Sequence, residues 1–368
     1  MSSQAGTQNT NEPKNSKFKQ QQLPAWQPIL TAGTVLPTFF VIGIAFIPIG
    51  IGLFFFSSQV KEVVVDYTDC TNSEGQKCSE QLPKPCSCVL TIREEDIGDS
   101  DWEGPVYMYY GLTNFYQNHR RYVKSRDDKQ LYGDIGRTPN QDCDPFRQDN
   151  TTGKYYAPCG AIANSLFNDS IVLTFKNKND PAGAAFAQVP LNRTGIAWES
   201  DKKYKFQNPV ADGSVSSLQE AFKDMAKPMD WQKNIWELDT EDPNNNGFLN
   251  EDLIVWMRTA ALPNFRKLYR RIIHAKGTDF ELGLPSDKIY QLQIAYNYPV
   301  TKFSGTKSVI LATTSLLGGK NPFLGIAYMV VGSLCLLLGF IFFFIHLRFG
   351  RTTQEMLNIG PTTQYNSN

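Results

Sequence analysis

Two apolar runs, Val35–Phe56 and Phe323–Leu347, stand near the ends of the chain, with the mostly polar Ser57–Asn321 between them. A bilayer core of about 30 Å needs ~20 apolar residues at 1.5 Å of helical rise each, and both runs are that long. Neither contains Asp, Glu, Lys or Arg, and His346 stands only at the far edge of the second. An unpaired charge at mid-membrane costs at least ~2.5 kcal/mol, so the runs suit lipid-facing helices and argue against an ion path. The layout expected is a tail and juxtamembrane segment over 1–34, spans over 35–56 and 322–347, a folded segment over 57–321 and a second tail over 348–368.

Basic residues orient this hairpin. Lys14, Lys17 and Lys19 precede the first run and Arg348 and Arg351 follow the second, against Lys61 and Lys320 on the opposite flanks. The cytosolic bias of Lys and Arg then puts both tails in the cytosol and the middle segment in the lumen or outside the cell. A cleaved signal peptide fits poorly, because its apolar core is roughly 7–15 residues and a small-residue cleavage site should follow. The 36 Lys and Arg balance the 36 Asp and Glu, so nothing in the charge points to nucleic acid.

Six of the seven cysteines (Cys70, Cys78, Cys86, Cys88, Cys143, Cys159) lie in the middle segment, and Cys335 lies inside the second run. An even number on an oxidising side implies three disulfides. Cys143 and Cys159 stand apart from the rest and are expected to pair, closing a ring worth ~3 kcal/mol in the chain-entropy model. Cys86 and Cys88 are too close to bridge comfortably, which leaves the first four nested or crossed. A zinc cluster would want Cys-x-x-Cys knuckles, which are absent. Three acceptor sequons, at Asn150, Asn168 and Asn192, also fall in this segment and nowhere else, so a glycoprotein is expected.

The middle segment reads as β-structure. Val63–Tyr67, Val106–Tyr110, Ile171–Phe175, Tyr290–Tyr298 and Val309–Leu311 carry period-two or β-branched patterns. Phe265, Leu268, Tyr269 and Ile272 at i, i+3, i+4, i+7 predict a helix with a cationic face of Arg266, Lys267, Arg270 and Arg271, and Leu112–Lys124 predicts a second. The fold class is therefore two transmembrane helices flanking a β-rich, antiparallel sandwich-like, disulfide-bonded domain with short helical insertions.

Chemistry is sparse. The segment holds two distant histidines, His119 and His274, and no HExxH, GxSxG or GxGxxG; Gly318-Gly319-Lys320 is not a P-loop. Asp242-Pro-Asn244-Asn-Asn246-Gly247 copies half an EF-hand loop, but Leu253 stands where a bidentate Glu should close it, so an Asn/Gly-rich turn is the better reading. No catalytic residue, metal or cofactor is assigned. In the spans, Gly43 and Gly50, and Gly325, Gly332 and Gly339, recur every seven residues. Each set forms a flattened stripe that drifts slowly round its helix, suited to a close-packed helix: the other span or a polytopic partner.

Longer motifs go further: Phe18-Lys-Gln-Gln-Gln-Leu-Pro-Ala-Trp26-Gln-Pro-Ile-Leu, Tyr109-Tyr-Gly-Leu-Thr-Asn-Phe-Tyr-Gln-Asn-His-Arg-Arg-Tyr, Ala157-Pro-Cys-Gly-Ala-Ile-Ala-Asn-Ser, Val255-Trp-Met-Arg-Thr-Ala-Ala-Leu-Pro and Gly319-Lys-Asn-Pro-Phe-Leu-Gly-Ile-Ala-Tyr. From about Phe18 to the end of the second run the chain resembles the cell cycle control protein 50 family, also called transmembrane protein 30. The resemblance implies a non-catalytic β-subunit of a type IV P-type ATPase, the class of flippase that moves aminophospholipids to the cytosolic leaflet. It implies a heterodimer with the pump in contact with membrane lipids, and residence in endoplasmic reticulum, Golgi, endosomes and plasma membrane. It also implies escort of the pump from the endoplasmic reticulum and support of its cycle. It implies nested pairing, Cys70–Cys88 around Cys78–Cys86, with Cys143–Cys159 separate, and it matches Asn168 to a family glycosylation position. Phe18, Trp26 and the five stripe glycines become expected partner contacts. The alternative is a two-span channel or receptor-type ectodomain protein, though the spans offer only Thr38, Ser333 and Cys335 to line a pore.

Overall fold

A computed structural model describes residues 15–24, 31–181, 183–315 and 318–350. Trp26, Lys14 and Arg351 lie outside the described residues. The chain divides into two compact units, one holding the two long helices and the other Phe56–Asn321.

The middle unit is built on strands β1 (Glu62–Asp66), β2 (Cys86–Thr91), β3 (Trp102–Glu103), β4 (Val106–Leu112), β5 (Ser170–Asn177), β6 (Ala187–Gln188), β7 (Leu191–Asn192), β8 (Phe265–Ile272), β9 (Gly283–Leu284), β10 (Lys288–Tyr296) and β11 (Lys307–Thr313). One sheet has the order β1-β11-β4-β8-β7, a second β2-β10-β5-β6, and β3 pairs with β9. The ladders are antiparallel, so each strand can bury one face and leave the other to solvent. Alternation does this in β4, where Val106, Met108, Tyr110 and Leu112 are buried, and in β10, where Tyr290, Leu292, Ile294 and Tyr296 are. With Leu173 of β5 and Val309 and Leu311 of β11, these side chains join one core spanning both larger sheets. Tyr110 stacks on Phe167 at 4.0 Å between ring centroids, anchoring the loop that leads into β5.

Short helices fill the long connection between β7 and β8. Glu251–Met257 starts where the Asn250 side chain accepts the N–H of Leu253, an N-cap that satisfies one orphan donor. It buries Trp256, whose indole N–H donates to the Ile162 carbonyl at 2.7 Å.

Two helical expectations need correction. Phe265–Ile272 is strand β8, not a helix. Tyr109 faces Leu268 while Met108 faces Arg270, so Tyr269 is an extra residue in β8. That bulge re-phases the alternation: Lys267, Tyr269 and Ile272 point inward, and the spacing imitates a helical stripe. The second expected helix, Leu112–Lys124, is mostly strand end and turn, with helix only over Arg120–Lys124.

Candidate functional site

For a chain with a hairpin of apolar helices, the surfaces that can engage a partner matter more than a cleft. The long helices, Ala32–Ser58 and Phe323–Phe349, are each 27 residues long. They run antiparallel and meet along their glycines. A Cβ built on Gly50 would lie 2.9 Å from the Gly325 carbonyl oxygen; one on Gly325 would lie 2.7 Å from the backbone nitrogen of Phe54. Gly332 faces Phe46 and Ile47, Gly43 faces Leu336 and the Gly332 carbonyl, and Gly339 faces Phe39 and Phe40. Ring contacts extend the seam, with Phe46 on Tyr328 at 4.7 Å and Phe40 on Phe340 at 5.2 Å. The stripes thus bring two backbones of the same chain together, as small residues do in lipid. Outward-facing Val41, Ile44, Ile51, Leu334 and Leu337 stay exposed on the pair. Phe18, in the turn before the first helix, is 76% exposed.

Three disulfides brace the middle unit: Cys70–Cys88, Cys78–Cys86 within it in sequence, and Cys143–Cys159. The Cys70, Cys78 and Cys88 sulfurs cluster within 4.8 Å, but all three are disulfide-bonded and offer no thiolate to a metal. Cys335, in the second long helix, is free.

The sequons differ in setting. Asn150 is exposed in the Asp149–Gly153 turn, where Asp149 accepts from Thr151 and Thr152. Those donors hold its carboxyl down to about 2. Asn192 is half-buried on β7, its oxygen accepting the N–H and hydroxyl of Thr194 at 2.9 Å each. Asn168 is half-buried ahead of β5, with its side-chain oxygen buried and unpartnered.

Beside Asn168 lies a charged network that sequence reasoning missed. Asp169 and Lys307, 138 residues apart, are both fully buried and meet at 2.7 Å. The other Asp169 oxygen accepts the N–H groups of Asn297 (2.5 Å) and Tyr298 (2.7 Å), and the Tyr67 hydroxyl donates to the first at 2.8 Å. The Lys307 ammonium also donates to the Tyr298 carbonyl at 2.7 Å and sits 3.1 Å from the Tyr296 ring centroid. Burial pushes Lys307 down to about 8, with Asp169 opposing it; burial and then the Asp169 charge push the Tyr67 hydroxyl up. The cluster ties β1, β5, β10 and β11 at one point. No local motif announces it, because a lone Lys in an apolar run reads as polar.

The cations of β8 are not one surface. Lys267 is buried and donates to the carbonyls of Val255, Trp256 and Arg258, closing the end of helix Glu251–Met257. Arg270 forms a two-pronged pair with Asp252 at 2.6 and 3.1 Å, and Arg266 pairs with Glu62 at 2.5 Å. The Asp242–Gly247 turn spends its polar groups on the chain: Asp242 caps Asn244, and Asn246 donates to the Trp236 carbonyl and accepts from Gly247. This is what an ordered turn needs and leaves few ligands for calcium.

The chain thus holds a pair of apolar helices and, between them in sequence, a disulfide-braced β unit. A model of the LEM3 (ligand-effect modulator 3) / CDC50 family matches residues 53–352. The chain belongs to the CDC50 family. Among its relatives, mouse cell cycle control protein 50A is 51% identical over 348 residues, covering 94% of this chain and 92% of the relative. Human cell cycle control protein 50B is 46% identical over 354 residues, covering 94% and 96%. ALA-interacting subunit 3 of Arabidopsis thaliana is 41% identical over 352 residues, covering 94% and 89%. The CDC50 match takes in both long helices' seam residues Phe54 and Gly325 to Gly339, the three disulfides and the Lys307 network.

Proposed function

We propose that this CDC50 member is the non-catalytic subunit of a type IV P-type ATPase that moves aminophospholipids toward the cytosolic leaflet. The observation that carries the reading is the architecture: a glycine-seamed helix pair whose remaining faces are apolar, joined in one chain to a disulfide-braced unit. The name of the Arabidopsis relative, an interacting subunit, agrees with it.

In this reading both tails are cytosolic and Phe56–Asn321 is luminal or extracellular, which the basic flanks Lys17, Lys19 and Arg348 and the three disulfides support. Asn150, Asn168 and Asn192 carry glycans. The chain acts by binding the folded pump, shifting its folding and conformational equilibria by mass action and so licensing exit from the endoplasmic reticulum. The span glycines contribute by pre-forming the hairpin, so that its outer faces, Ile44 and Ile51 with Leu334 and Leu337, meet a pump helix as one rigid surface. Phe18 and the following segment to Trp26 run along the pump's cytosolic side.

Purification of the tagged chain in mild detergent tests this. A ~100 kDa ATPase recovered at a fixed ratio and identified by its peptides supports the reading. Recovery of the chain alone, or ion currents on expression by itself, refutes it. Deleting the residues up to Gln22 should lower the turnover of the assembled pump; unchanged turnover removes that segment's regulatory role.

A further inference from the structure

The middle unit holds a pocket of about 230 Å³ whose wall includes Asn168 itself. Its other walls mix aromatic residues, Tyr110, Trp231 and Tyr269, with polar groups from Asp230, Gln232 and Asn250. Its charges balance: Arg270 is held by Asp252, Arg193 stands 3.8 Å from Asp239, Asp169 is neutralised by Lys307, and Lys233 offsets Asp230 in sign. A matched set of charges offers little to an ion, whereas rings beside fixed donors and acceptors suit a neutral polyhydroxylated ring. The side-chain oxygen of Asn168 is buried with no partner, an acceptor the chain leaves open.

We propose that this pocket seats the first N-acetylhexosamine of a glycan attached at Asn168, making that sugar a structural part of the unit. The inference rests on the proposed use of the Asn168 sequon and deepens it. Attachment makes the contact intramolecular, so a modest intrinsic affinity fills the pocket. Neither other sequon is built this way: Asn150 lies on an exposed turn, and the oxygen of Asn192 is taken by Thr194. The seated sugar covers the approach to Asp169 and Tyr269, and supplies the donor that Asn168 lacks.

The test uses the full chain made in cells limited to high-mannose glycans, with site occupancy read by peptide mapping. Peptide:N-glycosidase F, which cuts at the asparagine, should act on the native chain at Asn168 at least about tenfold slower than at Asn150, a protection of ~1.4 kcal/mol, and equally fast after denaturation. Endoglycosidase H, which leaves the first sugar in place, should trim both sites on the native chain without lowering its melting temperature. Asn168→Gln should lower it. The pocket-filling Gln232→Trp should keep Asn168 occupied and raise the native cutting rate at Asn168 to that at Asn150. Equal native rates with Asn168 occupied overturn the seat and leave glycosylation standing. An unoccupied Asn168 overturns both.

Discussion

Replacing Lys307 with methionine should be among the most damaging single changes available in the middle unit. The ammonium is fully buried and donates to Asp169 and to the Tyr298 carbonyl, both at 2.7 Å. Methionine fills much of the volume but leaves the Tyr298 carbonyl short of a donor and Asp169 without its counter-charge. Asp169 keeps three donors, from Tyr67, Asn297 and Tyr298, which soften the loss but do not cancel a buried negative charge. Removing one member of a buried pair typically costs ~3–5 kcal/mol. For a unit of this size that is a fall of roughly 6–20 °C in melting temperature. Tryptophan fluorescence of the full chain during heating in mild detergent, at one scan rate, reads it. The companion change Asp169→Asn keeps the Asn168 sequon intact and removes the stranded charge. The double variant should therefore recover at least ~1 kcal/mol relative to the sum of the singles. A Lys307→Met variant melting within ~2 °C of the parent, a shift worth under ~1 kcal/mol, or strict additivity in the cycle, would show that the network does not bind the sheets together.

Gly325→Leu should force the helices apart, since even its Cβ would meet the Phe54 backbone at 2.7 Å. The cross-linking yield of a Phe46→Cys, Tyr328→Cys pair, with Cys335 replaced, should drop several-fold, and an unchanged yield refutes the seam. Cys70→Ser with Cys88→Ser should cost ~3 kcal/mol by freeing the loop in the unfolded chain, measured as a lower melting temperature. The Glu251 carboxyl is pushed up by burial, but the N–H of Ala197 and the Lys202 ammonium outweigh this and hold it below its ordinary value. Its folded form therefore binds protons less readily than the unfolded chain. Its contribution is complete above the unfolded value near ~4.3 and fades as pH falls through the folded one. Glu251→Gln should flatten the acid limb of stability; an identical limb would rule that out. Burial pushes Lys267 down to about 7, so the unfolded chain holds the proton more tightly and stability should rise with pH above about 7. Lys267→Met should lose part of that slope in melting curves taken between neutral and mildly alkaline pH.

The sequence disclosed what depends on composition along a short stretch. The spans were legible because twenty-odd apolar residues without charge have few other uses, β4, β5 and β10 because their buried residues largely alternate, and β11 because its apolar Val309–Ala312 run is buried on both faces. Strand β8 was not, since an inward lysine and the bulge at Tyr269 together broke its period of two. The Asp169–Lys307 pair was invisible because its members meet only after the sheets form, and a sequence pattern carries no information about partners so far apart. The glycine stripes were visible, yet what they touch was not: a small-residue face states that something packs closely, not what.

Strand β1 opens the middle unit and β11 closes it, and they are neighbours, Glu62 opposite Ala312 and Asp66 opposite Ser308. The unit therefore begins and ends at one edge of one sheet. Pulling those two ends apart opens the ladder rung by rung from Glu62 and Ala312, like a zip fastener, instead of shearing all its bonds at once. The first rungs would yield to weak tension, while Tyr67 and Lys307, joined through Asp169 just past the last rung, act as the stop at the bottom of the zip.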